Sequence, residues 1–150
     1  MYGKSVAASC DRSIRCNYPM VTRMSAIGHR PFGMALNARL IGMLSGAERE
    51  HFWCFFVGAD DTITDGFRAV GDRISVKFEA RKIIRHAMDA SAGGVLLVHN
   101  HPSGDSTPSA EDIRVTRAWH STCGLIDIKF WDHIIVGGED CFSFRDAGLM

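Results

Sequence analysis

Two histidines separated by one residue, His99 and His101, close the apolar run GGVLLV, and a serine and an aspartate follow at Ser109 and Asp112. Residues two apart on a strand project from the same face, so both imidazoles are expected to point one way at the strand's end. The loop PSGDSTP turns the chain back, and SAED has the form of a helix start with Ser109 as its cap. Two imidazoles and one carboxylate are a normal protein set for zinc, with the fourth position left to water. Ser109 and Asp112 also read as a capping box with Asp in place of Glu or Gln, and Asp112 could simply complement the helix dipole. Spacing alone leaves both readings open.

The pattern His-x-His, seven residues, Ser, two residues, Asp resembles the motif of the JAMM metalloproteases, also called MPN+ domains. His99, His101, Ser109 and Asp112 meet it without a spacing error. The longer string HNHPSGDSTPSAEDIRVTR, with WDHIIVGG and FSFRDAGL after it, is similar to the RadC family, whose members carry a JAMM-type domain. The resemblance covers residues 36–150. It implies an α/β fold of the JAMM/MPN, cytidine-deaminase-like type, a mixed β-sheet flanked by helices. It implies one zinc ion held by His99, His101 and Asp112, with Ser109 donating to the oxyanion as water attacks a carbonyl. The family's general-base glutamate lies just before the first core strand, the place of Glu50, with Glu48 as the competitor two residues earlier. Asp132 and His133, the Asp-His pair of the family string, are expected to orient a ligand histidine or to brace the sheet.

The implied activity is zinc-dependent hydrolysis of peptide or isopeptide bonds, with a peptide or protein as substrate. The alternative is an accessory or protein-binding module of a DNA-repair or mobile-element system with a structural metal site. A metal-dependent nuclease is a third reading, since two histidines and one aspartate are not specific to one bond type. The chain departs from its relatives in two places. Arg81-Lys82 stands where RadC-like sequences carry Arg-Glu, and residues 1–35 do not resemble the helix-hairpin-helix module that many of them have.

The elements that must position these groups are legible in the apolar pattern. Leu36, Leu40, Ile41 and Leu44 have helix spacing, stopped at Gly46. The run HFWCFFV at 51–57 is short, aromatic and nearly continuous, which predicts a strand buried on both faces. A more exposed strand is expected over 63–70, with Gly66 as a possible bulge. Val76, Ala80, Ile83, Ile84, Ala87 and Met88 place the apolar side of an amphipathic helix over 76–88, with Lys77, Arg81, Lys82 and Arg85 in water. The metal strand follows at 93–98 and a helix at 109–121. Residues 126–130 and 133–136 predict two strands or one bent one, and 141–144 a short last strand. That order implies a mixed sheet with helices on its faces.

A chain of 150 residues with 46% apolar residues is the size of one domain with a real core. Its 17 basic and 17 acidic residues balance, so no global field draws in nucleic acid or an anionic membrane. The average hides a split: Lys4, Arg12, Arg15, Arg23, Arg30 and Arg39 face Asp11 alone in the first 40 residues. Residues 1–35 are therefore expected to form a basic, poorly ordered extension ahead of a domain over 36–150. DNA contact would need that arm or the local basic stretch Arg68–Arg85. Five scattered cysteines without CxxC spacing argue against a disulfide framework. Without a signal-like or membrane-length apolar run, the expected location is cytoplasmic. The oligomeric state is open.

Overall fold

The computed structural model describes residues 34–71 and 76–150, with side chains from 36 in the first helix and from 80 in the second. The expected basic extension over 1–35 therefore lies outside the described residues, as do Arg73 and the side chains of Val76 and Lys77. The elements run α1 (Met34–Leu44), β1 (Glu50–Val57), β2 (Ile63–Gly71), α2 (Val76–Asp89), β3 (Gly94–Asn100), α3 (Ala110–Leu125), β4 (Lys129–Gly137) and β5 (Asp140–Ser143). One five-stranded sheet has the order β2-β1-β3-β4-β5. β1 is antiparallel to both β2 and β3, β3 and β4 are parallel, and β5 returns antiparallel to β4. The parallel pair needs a crossover, which α3 supplies. The mixed α/β fold expected from the sequence is the fold found.

Both faces of the sheet are covered, which is why β1 reads as a continuous apolar run. On one face Phe52, Cys54, Phe56, Val95 and Leu97 pack against Ile83 and Ala87 of α2 and against Val115, Trp119 and Cys123 of α3. On the other, Trp53, Phe55, Val57, Leu96 and Val98 receive Leu36, Leu40 and Leu44 of α1.

Three expectations need correction. Met88, placed on the apolar side of α2, is 62% exposed, while Ile83 and Ala87 carry the face that meets the sheet. The helix after the PSGDSTP loop runs on to Leu125, and the strand begins only at Lys129; Ile126 lies in the turn between them. Of the two arrangements expected for residues 126–136, one bent strand is found: β4 takes Lys129–Gly137, with a register shift that sets Val95 opposite Phe130 and Leu96 opposite Asp132. The irregularity in the β1–β2 pair falls between Phe56 and Val57 and not at Gly66, which pairs regularly with Phe55. Arg68 also leaves the expected basic surface. Its guanidinium lies 5.1 Å from the Trp53 ring centroid and donates to His51 Nδ1 at 2.9 Å. Arg81, Lys82 and Arg85 are the exposed cations of α2 among its described side chains.

Candidate metal centre

The two ends of β3 differ in kind. It enters through the Gly93-Gly94 turn and leaves through His99, Asn100 and His101, where the apolar strand meets the loop to α3. His99 is buried and His101 is partly open, with ring centroids 4.9 Å apart. The first turn of α3 comes over the same strand end and brings Asp112 against both rings. Asp112 Oδ1 lies 3.2 Å from His99 Nε2 and Oδ2 lies 3.3 Å from His101 Nε2, while the two Nε2 atoms are 3.0 Å apart. One ligand atom from each of the three residues lies within 4.8 Å of the others.

The cap and the approach of Asp112 to the histidines coexist in one side chain. Ser109 Oγ accepts from the Asp112 amide at 3.2 Å, and the Ser109 amide donates to Asp112 Oδ2 at 2.7 Å. The capping box thus fixes the rotamer of the carboxylate that faces the histidines. Because Ser109 Oγ accepts in the cap, its own O–H proton is left to donate elsewhere.

The hydrogen bonds at the far side of each ring bear on whether these residues suit a cation. His101 Nδ1 lies 2.8 Å from the Asp105 carbonyl, which can only accept, so Nδ1 carries the proton and Nε2 a lone pair in the neutral ring. His99 Nδ1 lies 2.9 Å from His133 Nε2. Burial holds the His133 pKa well below its ordinary value, so that ring is neutral. With the proton of the bond on His99 Nδ1, two ring lone pairs and a carboxylate point into one small space. Such a donor set fits a divalent cation and matches zinc's preference for imidazole and carboxylate.

Glu50 is the first residue of β1. The β1–β3 register pairs Phe52 with His99, and continuing it two residues sets Glu50 across from the His101 position on the same face. Burial raises the Glu50 pKa; His99 and His101 pull it down and Asp112 pushes it up, so the carboxyl senses all three groups. Glu48 is exposed in the bend before the strand. Burial also acts on Asp112, pushing its pKa up, but its contacts with His101, His99 and Ser109 outweigh this and hold it far below the usual carboxylate range. The same contact with Asp112 raises His101, against the opposing pull of its burial.

Asp132 does not orient either ligand ring. Its buried carboxylate accepts from the His133 amide, the Ser143 hydroxyl and the Arg145 amide, and so braces the β4–β5 corner. Burial pushes its pKa up to about 6 despite those bonds. His133 is the group that meets His99. The register shift in β4 brings this about: Phe130 lies on the α3 side of the sheet, and without the extra residue His133 would face the α1 side.

Four contributors were not singled out by sequence reasoning. Asn100, buried between the two histidines, accepts from the His51 amide at 2.7 Å and donates to the Arg49 carbonyl at 3.1 Å. It therefore clamps the main chain on both sides of Glu50. Thr116 contacts His133, and Asp105 acts through its carbonyl, which no side-chain pattern reveals. Gly137 admits that loop: a Cβ there would overlap the Ser106 amide nitrogen and lie 2.5 Å from the Asp105 carbonyl carbon. Only Thr116, one turn after Asp112 on α3, carried a readable signal.

A family model described as the RadC-like JAB domain matches residues 34–149. The UPF0758 protein YeeS of Escherichia coli (strain K12) is 38% identical over 114 residues, covering 74% of this chain and 76% of that protein. The UPF0758 protein YfjY of the same organism is 35% identical over 108 residues, 71% of this chain and 68% of that protein. The UPF0758 protein BamMC406_2419 of Burkholderia ambifaria (strain MC40-6) is 50% identical over 70 residues, 47% of this chain and 27% of that longer protein. Among the described residues, no helix is long and apolar enough to cross a membrane.

Proposed function

The chain belongs to the RadC-like JAB domain family, and from that premise we propose that it is a zinc-dependent hydrolase of peptide or isopeptide bonds. The observation that carries this reading is the convergence of His99 Nε2, His101 Nε2 and the Asp112 carboxylate, with Glu50 on the same face of the strand end. His99, His101 and Asp112 would hold one ion. When bound, it would supply the Lewis acidity that makes water a nucleophile and polarises a substrate carbonyl.

The chain's own residues do the rest. Glu50 accepts a proton from the attacking water and returns it to the leaving amine, and the upward push of burial on its pKa suits a group that must both take and give. Ser109 donates its O–H to the oxygen on which negative charge builds, from a hydroxyl already held in place by the Asp112 amide. Asn100 keeps the strand that carries Glu50 in register with the histidines. The partly open His101 leaves the centre accessible from one side, as a polymeric substrate requires.

The test is metal content followed by turnover on peptide and isopeptide panels, with single-stranded DNA as a control. Wild-type protein is expected to hold one zinc per chain and cleave an amide panel member. H99A should stay folded and lose stoichiometric zinc, and E50A should keep zinc and lose about 10²–10⁴-fold in turnover. Full zinc in H99A would remove the ligand assignment. Stoichiometric zinc with no amide cleavage would return the domain to an accessory module with a structural metal.

A further inference from the structure

Behind His99 runs a chain of contacts that returns to the other ligand's own helix. Thr116 Oγ1 lies 2.7 Å from the Asp112 carbonyl oxygen and 2.6 Å from His133 Nδ1, and His133 Nε2 lies 2.9 Å from His99 Nδ1. Thr116 is completely buried, and His133, also buried, stacks on Phe144 at 5.0 Å between ring centroids.

The positions of three protons follow from one acceptor. A carbonyl cannot donate, so the single hydroxyl proton of Thr116 goes to the Asp112 oxygen. Thr116 Oγ1 must then accept from His133, which places the His133 proton on Nδ1. A buried imidazole with no carboxylate bonded to its ring carries one proton, so His133 Nε2 has a lone pair and accepts from His99 Nδ1. That leaves His99 Nε2 unprotonated and facing Asp112. The reverse order would leave two oxygens 2.7 Å apart with no proton between them, and would put a proton on the His99 atom that must ligate.

We propose that Thr116 is a positioning residue whose hydroxyl, anchored on the Asp112 carbonyl, sets the tautomer of His133 and through it presents the His99 Nε2 lone pair to the metal. The inference rests on the metal-centre reading above, which it deepens. It makes the two ligands parts of one unit: the helix turn that delivers the Asp112 carboxylate also dictates which nitrogen of His99 is free. Thr116 touches neither metal nor substrate, and acts through two hydrogen bonds.

Ring-nitrogen NMR on the full chain, stripped of metal with chelator, reads the tautomers without reference to activity. Wild type is expected to show His133 and His99 both protonated at Nδ1. T116V removes the anchor, frees His133 to place its proton on Nε2, and should give a tautomer mixture at His99. Zinc affinity should then fall about 10–100-fold, the usual cost of removing a partner behind a ligand histidine. T116S, which restores the hydroxyl, should recover both the tautomer and the affinity. A wild-type His133 protonated at Nε2 overturns the proposal even if T116V does not fold. So does a folded T116V with wild-type tautomers and affinity. A wild-type chain with the expected tautomers that binds no zinc would overturn the metal reading and leave the hydrogen-bond relay standing.

Discussion

Asn100 makes the case at the scale of one residue. Strand alternation turns its side chain away from the face that His99 and His101 share, and there it holds the Arg49 carbonyl and the His51 amide. An alanine would leave those two main-chain groups without their partner, at a cost of about 1–3 kcal/mol for each that stays dry. N100A is therefore expected to melt earlier and to lose turnover, while its zinc stoichiometry stays at that of wild type, because none of the three ligands depends on the clamp. Equal melting temperature and turnover in N100A would refute the clamp. The cluster of His99, His101 and Asp112 was legible because it consists of residue types at fixed spacing. Asn100 was not, since the pattern leaves its position free and its partners are main-chain groups 49 and 51 residues away.

Among the elements, β4 shows what a sequence pattern can and cannot carry. Its apolar residues announced a strand, but the register shift after Phe130 has no residue signature. That shift decides which face His133 occupies. Helix periodicity misled in the same way at Met88, which falls on the apolar side of α2 by spacing yet is exposed. β1 was legible because Phe52 to Val57 are all buried, and α1 because Leu36, Leu40 and Leu44 share one face that packs on the sheet. The end of β4 also supports the other histidine, through Gly137 and the loop at Asp105 and Ser106. G137A would push that loop off the strand and withdraw the carbonyl that His101 Nδ1 bonds. Zinc affinity should drop about 10–100-fold, with the His99 tautomer unchanged because its relay runs through α3. A zinc titration of G137A matching wild type would show that the Asp105 carbonyl has no hold on His101.

For the whole molecule, the proposed centre ties together parts of the chain far apart in sequence: β1 at Glu50, β3 at His99 with His101 just after it, and α3 at Asp112. An ion bound only by the folded arrangement stabilises it, by about 4 kcal/mol at a thousandfold excess over the dissociation constant. The size of that increment depends on pH because protons compete for the same atoms. His101 has a raised pKa, so in metal-stripped protein its charged form contributes stability below its ordinary value of 6.5, and that contribution is lost as pH rises through the folded value. Asp112 runs the other way: depressed in the fold, it contributes above its ordinary 3.8 and loses that only as pH falls toward its lower folded value. Between those limits the His101–Asp112 ion pair does part of the work of the proposed cation, which would have to displace the His101 proton to bind. Glu50 acts in the same direction, since a carboxyl raised by burial gives up its proton more readily beside a cation. Asp132, raised to about 6, braces β4–β5 with or without zinc and so cancels in the comparison. The rise in melting temperature on adding zinc should therefore be small at pH 5 and reach its full size by pH 8, and H101A should abolish most of it at both. A zinc increment that is the same at pH 5 and pH 8 would mean that no proton is displaced from His101, and that its ring does not ligate.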